Sequence, residues 1–191
     1  MKRKLWKRGV VLLVVAVCLL SQAYTLQAYT IDSALGEYAE GKYINKSPAF
    51  SVQFPANWVA QQGFPGEIFR IANNNEWSLP VATLTITDKA KDAPALDSDA
   101  AAEAYLKALK ESAPSSSRHR IESKGVVKLT DGTEAMTLII KWKYDFSTTL
   151  HTAALVAYQG DKVINLSNST TVGGNTPPEK LLDMLKTLTF K

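Results

Sequence analysis

Cysteine is almost absent from this chain, and the single cysteine lies in its first segment. Of the 191 residues only Cys18 is a cysteine, and it falls inside an apolar run near the N-terminus. The rest of the chain therefore has no thiol that could act as a nucleophile, bind zinc or form a disulfide. Such a protein must be held together by its hydrophobic core.

Histidine is scarce as well, since the chain has only His119 and His151. His119 lies between Arg118 and Arg120, whose positive charges lower its affinity for a cation. His151 begins an apolar segment, where a hydrogen-bonded structural role is expected. A histidine metal site needs further histidine, cysteine or carboxylate ligands at suitable spacing. The sequence therefore predicts no metal site.

A surplus of charge is missing once the N-terminal segment is set aside. The chain has 22 basic and 18 acidic residues, but five of the basic ones stand in the first eight positions and no acid precedes Asp32. The chain beyond these eight positions has 17 basic and 18 acidic residues, which is close to neutrality. A nucleic-acid-binding surface depends on a strong positive excess and is not predicted.

Catalytic and cofactor-binding motifs are missing too. The chain has no G-x-S-x-G nucleophile elbow, and Gly173-Gly174 lacks the lysine of a phosphate-binding loop. Asp97 and Asp99 lack the glycine turn and the distal glutamate of a calcium loop, so we expect Asp97, Ser98 or Asp99 to cap a helix. We predict no enzyme and no cofactor. A hydrolase that assembles serine, histidine and carboxylate from distant positions is an alternative.

The N-terminal segment has the features of a secretory signal peptide. Five basic residues precede an apolar run from Val10 to Leu20, which Ser21 and Ala23 follow. This order of charged, apolar and small residues is typical of signal peptides. The run is shorter than the roughly 20 residues that a membrane-spanning helix needs. We predict cleavage after Ala23, with the position after Ala28 as second choice, and export to the periplasm or another extracytoplasmic compartment.

The remaining chain divides into a leader and one domain. Cys18 is not expected to carry a lipid anchor, because Val17 precedes it and because it lies inside the apolar run rather than at its end. We assign residues 1–23 to the signal peptide, 24–42 to an N-terminal leader and 43–191 to a single domain with a sizeable core. The mature chain is then predicted to have no integral membrane span.

Alternating apolar residues predict the first strand of the domain. Phe50, Val52 and Phe54 share one face of an extended segment, while polar residues occupy the other face. Pro55 cannot donate a hydrogen bond to a sheet, so the strand ends there. Trp58 follows at a distance that lets its ring fold back over the apolar face. We expect Trp58 to be a core residue.

Further strands and two helices follow along the chain. The pattern predicts strands at 67–72, 81–87, 126–129, 136–146, 150–158 and 163–167, with Asp131-Gly132 as a hairpin turn and 150–158 as a central strand covered on both faces. Apolar residues at helical spacing predict one helix around 102–109 and another from a capping Thr176 to Leu188. The order of elements predicts an α+β fold with an antiparallel β-sheet flanked by helices.

Several of these segments resemble the PsbP family. The resemblance rests on Phe-Ser-Val-Gln-Phe-Pro-Ala-Asn-Trp at 50–58, on the hairpin strands after a middle helix and on the closing Leu-Lys-Thr-Leu-Thr-Phe, and it covers about residues 44–190. It implies a PsbP-like α/β/α sandwich and a role in binding or assembly rather than in chemistry, and the family includes DcrB-like exported proteins. No site residue of the family can be carried over, because the matching residues are core and turn residues.

The sequence therefore favours an exported, non-catalytic binding or assembly module. A periplasmic protein with a pocket for a small or apolar ligand is an alternative. We expect the partner to be another envelope or membrane-associated protein. An exposed aromatic residue beside adaptable polar residues is typical of interaction hot spots, so we select Asn74 and Trp77, together with Arg118 and Arg120, as candidate partner-binding residues. Packing of Trp77 onto the sheet is the competing interpretation.

Overall fold

The computed structural model describes residues 31, 32, 34–61, 63–73, 79–112, 117–143 and 147–191. The predicted signal peptide with Cys18 and the candidate contact residues Asn74 and Trp77 lie outside the described residues, so they stay predictions. Within the described ranges, no helix is long and apolar enough to cross a membrane.

The described part of the chain folds into eleven strands and two helices. The strands are β1 Gly36–Ala39, β2 Lys42–Asn45, β3 Phe50–Gln53, β4 Trp58–Gln61, β5 Phe69–Asn73, β6 Val81–Asp88, β7 Arg118–Lys128, β8 Glu134–Lys143, β9 Thr149–Gln159, β10 Lys162–Thr171 and β11 Thr189–Phe190, and the helices are α1 Asp99–Ser112 and α2 Pro178–Leu185. The predicted order of strands, a middle helix, four strands and a closing helix is confirmed, with β11 added after the second helix.

Seven strands form one antiparallel sheet, which we call the large sheet. Its strand order is β4-β5-β6-β10-β9-β8-β7. β9 lies inside this sheet between β10 and β8, and its residues 152–157 are all buried. The prediction of a central strand covered on both faces is therefore confirmed. β7 forms one edge of the sheet and pairs with β8.

α1 covers one face of the large sheet, which we call the α1 face. Ala101 of the helix packs in one core cluster with Met136 and Ile140 of β8. The Oγ atom of Ser98 accepts a hydrogen bond of 3.2 Å from the backbone N–H of Ala101, and so satisfies one of the free donors at the start of the helix. Of the three predicted capping residues, the structure selects Ser98.

The opposite face of the large sheet, which we call the α2 face, is covered by α2 and a second sheet. This small sheet has four strands in the order β1-β2-β3-β11. Leu181 and Leu185 of α2 are fully buried in the core cluster that also contains Leu155 and Leu166 of the large sheet. The predicted sheet flanked by helices is thus confirmed in part, because the second outer layer combines a short helix with a sheet.

The small sheet begins in the segment that the sequence assigns to the leader. β1 and the first residue of β2 fall within 24–42, and Ile31 is buried in the core. The buried positions of β1 and β2 are Gly36, Tyr43 and Asn45, so these strands lack the alternation of apolar residues that marks a strand in the sequence. The boundary between leader and domain stays a prediction, but the ordered packing starts before residue 43.

Trp58 is a core residue, as predicted. Its side chain is 5% exposed, and its ring stacks on Phe54 with a centroid distance of 6.1 Å and an interplanar angle of 16°. Its backbone N–H donates to the carbonyl of Pro55 at 3.0 Å, which turns the chain after β3 into β4. The proline therefore ends one strand, and the tryptophan seals the contact between the two sheets.

The C-terminal helix is confirmed, but it starts one residue later than predicted. The residue before its first turn is Pro177 instead of Thr176, and no side chain caps it. Pro177 has φ −67° and ψ 150°, which is an extended conformation. The physical reason is Pro178, because a proline disfavours the helical conformation in the residue before it.

The end of this helix also differs from the prediction. The helix ends at Leu185, whereas the sequence predicted helical spacing through Leu188. Leu188 is fully buried in the core in the turn that follows, and Phe190 pairs with Phe50 of β3. Apolar residues at helical spacing can therefore continue beyond the end of a helix, into a turn and a strand that cover the same core.

Candidate partner-binding site

The β7–β8 hairpin carries the two candidate residues that the structure describes. Arg118 and Arg120 lie on β7 near its first residue, and both are exposed. The hairpin turns at Asp131-Gly132, as predicted, and Gly132 has a φ of 89°, a value that favours glycine. The two arginines lie at the end of the hairpin that is far from this turn.

One extra residue in β7 decides which face of the sheet the arginines occupy. Ile121 pairs with Ile140 and Ser123 pairs with Ile139, so Glu122 has no partner in the ladder. Glu122 is therefore the inserted residue of a β-bulge. Beyond the bulge, the alternation of β7 is shifted by one residue relative to the part of the strand next to the turn.

This shift sets two arginines opposite two lysines. Arg118 pairs with Lys143, and Arg120 pairs with Lys141. Residues that pair across strands point to the same face, and Lys141 follows Ile140, which belongs to the core on the α1 face. The four cations therefore share the α2 face at one end of the edge strand. We call these four residues the basic cluster.

The basic cluster sets four cations side by side at one end of the edge strand. Like charges directly opposite each other disfavour strand pairing, but Arg120 also forms an ion pair with Glu122, which offsets part of this repulsion. Arg118, Arg120 and Lys143 are exposed, and Lys141 is half-buried. Exposed cations in this arrangement present a concentrated positive charge to a molecule that approaches from the α2 face.

Glu122 places its carboxylate among these cations. Its Oε1 atom lies 2.7 Å from an Nη2 of Arg120, and its Oε2 atom lies 3.1 Å from Nε2 of His151 on β9. The hydrogen bond from Arg120 is the main cause that holds the pKa of Glu122 below its ordinary value of 4.5, and the charge of Lys141 acts in the same direction. Glu122 is thus an anion at neutral pH.

His119 lies on the α1 face, behind the basic cluster. Its ring stacks on Trp142 with a centroid distance of 5.0 Å, and Trp142 Nε1 donates to Thr152 Oγ1 at 2.9 Å. Burial and then the nearby charge of Lys110 hold the pKa of His119 below its ordinary value of 6.5. His119 is therefore a neutral aromatic ring at neutral pH, and it supports the strand end that carries the arginines.

Metal ligation and serine catalysis find no geometric support in the described part of the chain. Within the described ranges, no group of three histidine, cysteine, aspartate or glutamate residues could hold a metal ion. His151 approaches the carboxylate of Glu122, as in a catalytic triad, but its Nε2 has no hydrogen-bond partner. Both ring nitrogens of His119 are buried without a partner as well. No serine is therefore coupled to either histidine through these atoms.

The structure brings together residues that the sequence did not associate with one another. Arg118 and Arg120 were selected, whereas Lys141, Lys143 and Glu122 were missed. The pattern Lys-Trp-Lys at 141–143, with its lysines on the face opposite the apolar residues of β8, was the available signal. If the pairing next to the turn continued without a bulge, Arg120 would lie opposite Trp142 and not opposite Lys141. The two lysines can therefore be recognised as partners of the arginines only when the bulge is known.

The chain is similar in structure, though hardly in sequence, to solved proteins. No protein-family model matches it, and no curated protein matches it. The solution structure of cyanobacterial PsbP (CyanoP) from Synechocystis sp. PCC 6803 superposes with a TM-score of 0.64 at 13% identity, and covers 78% of this chain and 91% of that one. A crystal structure from Bacteroides thetaiotaomicron VPI-5482 has a TM-score of 0.51 at 16% identity over 81% of this chain.

These similarities define the fold. The chain spans about half the length of the Bacteroides protein, since the match covers 49% of that chain, but it spans almost all of cyanobacterial PsbP. The antiparallel large sheet with its helices therefore has a PsbP-like fold, and the resemblance that the sequence indicated is confirmed at the level of the fold.

Proposed function

We propose that the protein is an exported, non-catalytic binding or assembly module whose contact surface is the basic cluster. The observation that carries the proposal is the pair of cross-strand cation contacts, Arg118 with Lys143 and Arg120 with Lys141. Four cations that share one face at the end of an edge strand form a surface that an acidic partner can recognise by complementary charge. The fold supports a non-catalytic role through its likeness to PsbP.

The partner is a protein of the cell envelope or the membrane surface with an acidic contact region. Complementary charge steers association and fixes orientation, while mismatched partners are repelled. The cluster is local, because the chain beyond the first eight positions has 17 basic and 18 acidic residues. Binding is therefore directed to one end of the large sheet, and a general attraction to polyanions is not expected.

Export follows from the basic start and the short apolar run at the N-terminus. The protein purified from its native compartment is expected to have lost residues 1–23 and to be released with the soluble extracytoplasmic fraction. Intact mass and fractionation measure both properties. A membrane-bound species acylated on Cys18, or a chain that keeps Met1, would contradict export in this form.

Charge reversal at the basic cluster tests the contact surface. Affinity capture from the native envelope with the tagged protein is expected to enrich an acidic envelope protein. The variant Arg118→Glu/Arg120→Glu should bind this protein at least about tenfold more weakly, since charges at an interface change both association and affinity. The melting temperature should stay close to that of the parent, because Arg118→Glu sets an attractive pair opposite Lys143, whereas Arg120→Glu breaks an exposed ion pair with Glu122 that adds little to stability.

The matched control is Lys42→Glu/Lys91→Glu, which makes the same change of net charge at two exposed lysines outside the cluster. Its binding should stay within about twofold of the parent protein. Equal loss of binding in both variants would show that net charge, and not the basic cluster, determines capture. Unchanged binding of the arginine variant would refute the proposed surface.

A further inference from the structure

We propose that Arg120, Lys141 and His151 form a carboxylate-binding site, that Glu122 occupies this site in the free protein, and that an aspartate or glutamate side chain of the partner displaces it. This inference rests on the proposed function and names the chemical group that the contact surface recognises. It also assigns a role to Glu122, which is the residue that the bulge inserts into β7.

The geometry of Glu122 shows which ligand the site accepts. Its two carboxylate oxygens are engaged by different side chains, with Oε1 at 2.7 Å from Arg120 Nη2 and Oε2 at 3.1 Å from His151 Nε2. Lys141 pairs with both Arg120 and His151 across the ladder, so its side chain lies between them on the α2 face. Arg120 thus donates a hydrogen bond to the carboxylate, Nε2 of His151 lies beside it, and the positive charge of Lys141 on the strand between them acts on it as well.

The contact of Nε2 with Glu122 is incomplete. The two atoms are close enough for an ion pair, but their orientation does not make a hydrogen bond, and Nε2 of His151 is a buried nitrogen without a hydrogen-bond partner. A buried polar atom without a partner costs free energy. A carboxylate that enters from the partner can take a better aligned position than Glu122, which is tethered to β7, with β8 between it and the strand of His151.

The bulge allows Glu122 to leave without disturbing the sheet. Glu122 has no partner in the ladder, and its neighbours Ile121 and Ser123 keep theirs. Rotation of its side chain towards solvent therefore breaks no strand pairing. Arg120 is 73% exposed at its side chain, so its ion pair with Glu122 adds little to stability. A contact that stabilises little is suited to exchange with a ligand.

Glu122→Gln tests the displacement, because glutamine keeps the size of the side chain and removes its charge. The probe is a hexaglutamate peptide with both ends blocked, titrated into the exported protein at low ionic strength by calorimetry. The parent protein should bind the peptide, and Glu122→Gln should bind it about tenfold more tightly, since the peptide no longer competes with an internal anion. Arg120→Ala added to Glu122→Gln should abolish this gain.

Two further variants test whether the gain in affinity is specific to Glu122. Glu134→Gln removes the same charge from an exposed residue next to the hairpin turn of β8 and should change the affinity less than twofold. Deletion of Glu122 removes the inserted residue, and we expect Ile121 and Ser123 to keep the partners Ile140 and Ile139 that they have in the parent. If Glu122→Gln does not reach the melting temperature of the parent, this deletion variant should show the same gain in affinity.

The outcomes separate this inference from the proposed function. If the parent binds the peptide through Arg118 and Arg120 but Glu122→Gln and the deletion leave the affinity unchanged, the inference is wrong and the contact surface stands. If neither the parent nor these variants bind the peptide, both are wrong. Tighter binding of inorganic phosphate than of the peptide would overturn the assignment to carboxylates.

Discussion

Trp58 is the residue whose removal should affect stability most clearly. It is 5% exposed, stacks on Phe54, and its carbonyl accepts a hydrogen bond of 3.0 Å from the hydroxyl of Tyr38. Trp58→Ala should lower the free energy of unfolding by about 3–5 kcal/mol, because it leaves a large cavity where the two sheets meet. Chemical denaturation of both proteins measures this difference.

The control for this substitution is the next residue. Val59 is 39% exposed, and Val59→Ala should cost less than about 1 kcal/mol. Comparable losses for the two substitutions would contradict a core role for Trp58. An unchanged stability of Trp58→Ala combined with lost partner binding would instead make Trp58 a contact residue.

His119 should make stability depend on pH. Its folded-state pKa lies below its ordinary value of 6.5, so the unfolded chain takes up a proton first as the pH falls. The stability that the neutral ring contributes is complete above pH 6.5 and is lost as the pH drops below that value. His119→Phe keeps a ring against Trp142 and should lose less stability than the parent between pH 7 and pH 5.

Thermal melts at several pH values test this expectation, with His151→Phe as the matched substitution on the other face of the sheet. A parallel decline of the parent and His119→Phe between pH 7 and pH 5 would show that other groups cause the pH dependence. NMR titration of the His119 ring would then have to show an ordinary pKa.

At the scale of elements, the β7–β8 turn holds the C-terminal strand. The carboxylate of Asp131 accepts hydrogen bonds from the backbone N–H of Thr133, at 2.7 Å, and from that of Phe190 in β11. Burial alone would raise the pKa of Asp131, but these hydrogen bonds outweigh it and lower the pKa below its ordinary value of 3.8. The contribution of Asp131 is therefore present above pH 3.8 and is lost as the pH falls further.

Asp131→Ala should weaken the attachment of β11 in particular. We expect a loss of about 1 kcal/mol, since the carboxylate is exposed and its hydrogen bonds are partly screened by water. Hydrogen exchange of the Phe190 amide should become faster. Exchange of the amides in β9 should change only as much as the free energy of global unfolding does. Asp92→Ala, at another exposed aspartate, is the control. Unchanged exchange at Phe190 would contradict the link between turn and strand.

The elements also show what a sequence can predict. Strands that alternate strictly, such as β3 with Phe50 and Val52, were predicted with their buried faces, because burial of one face imposes a period of two. β11 was missed, because two residues carry no period. The start of α2 was misplaced by one residue, because Pro178 affects the residue before it more strongly than Thr176 can act as a cap.

The site was less predictable than the fold for a related reason. The positions of Arg118 and Arg120 at a strand end followed from the sequence, but their lysine partners did not. A single inserted residue reverses the faces of everything beyond it, and Glu122 looks like any polar residue of an exposed edge strand. Asn74 and Trp77 stay predictions, since they lie outside the described residues.

In the whole molecule, stability and binding are assigned to opposite edges of the large sheet. The core between the two sheets, with Trp58 at β4, gives the protein its stability without a disulfide. The opposite edge strand, β7, presents the basic cluster. The separation predicts that substitutions in the cluster change binding with little effect on stability, and that substitutions in the core do the reverse.

The most direct test of the contact surface is site-specific photo-crosslinking in the native compartment. A photoreactive amino acid is placed at Ser123, which is exposed beside the bulge and pairs with Ile139 on the α2 face, or at Thr87, which is exposed at the far end of β6. We expect a crosslink to an acidic envelope protein from position 123, its loss in Arg118→Glu/Arg120→Glu, and no such product from position 87. A product that forms from position 87 and not from position 123, or that persists after charge reversal, would contradict binding through the basic cluster.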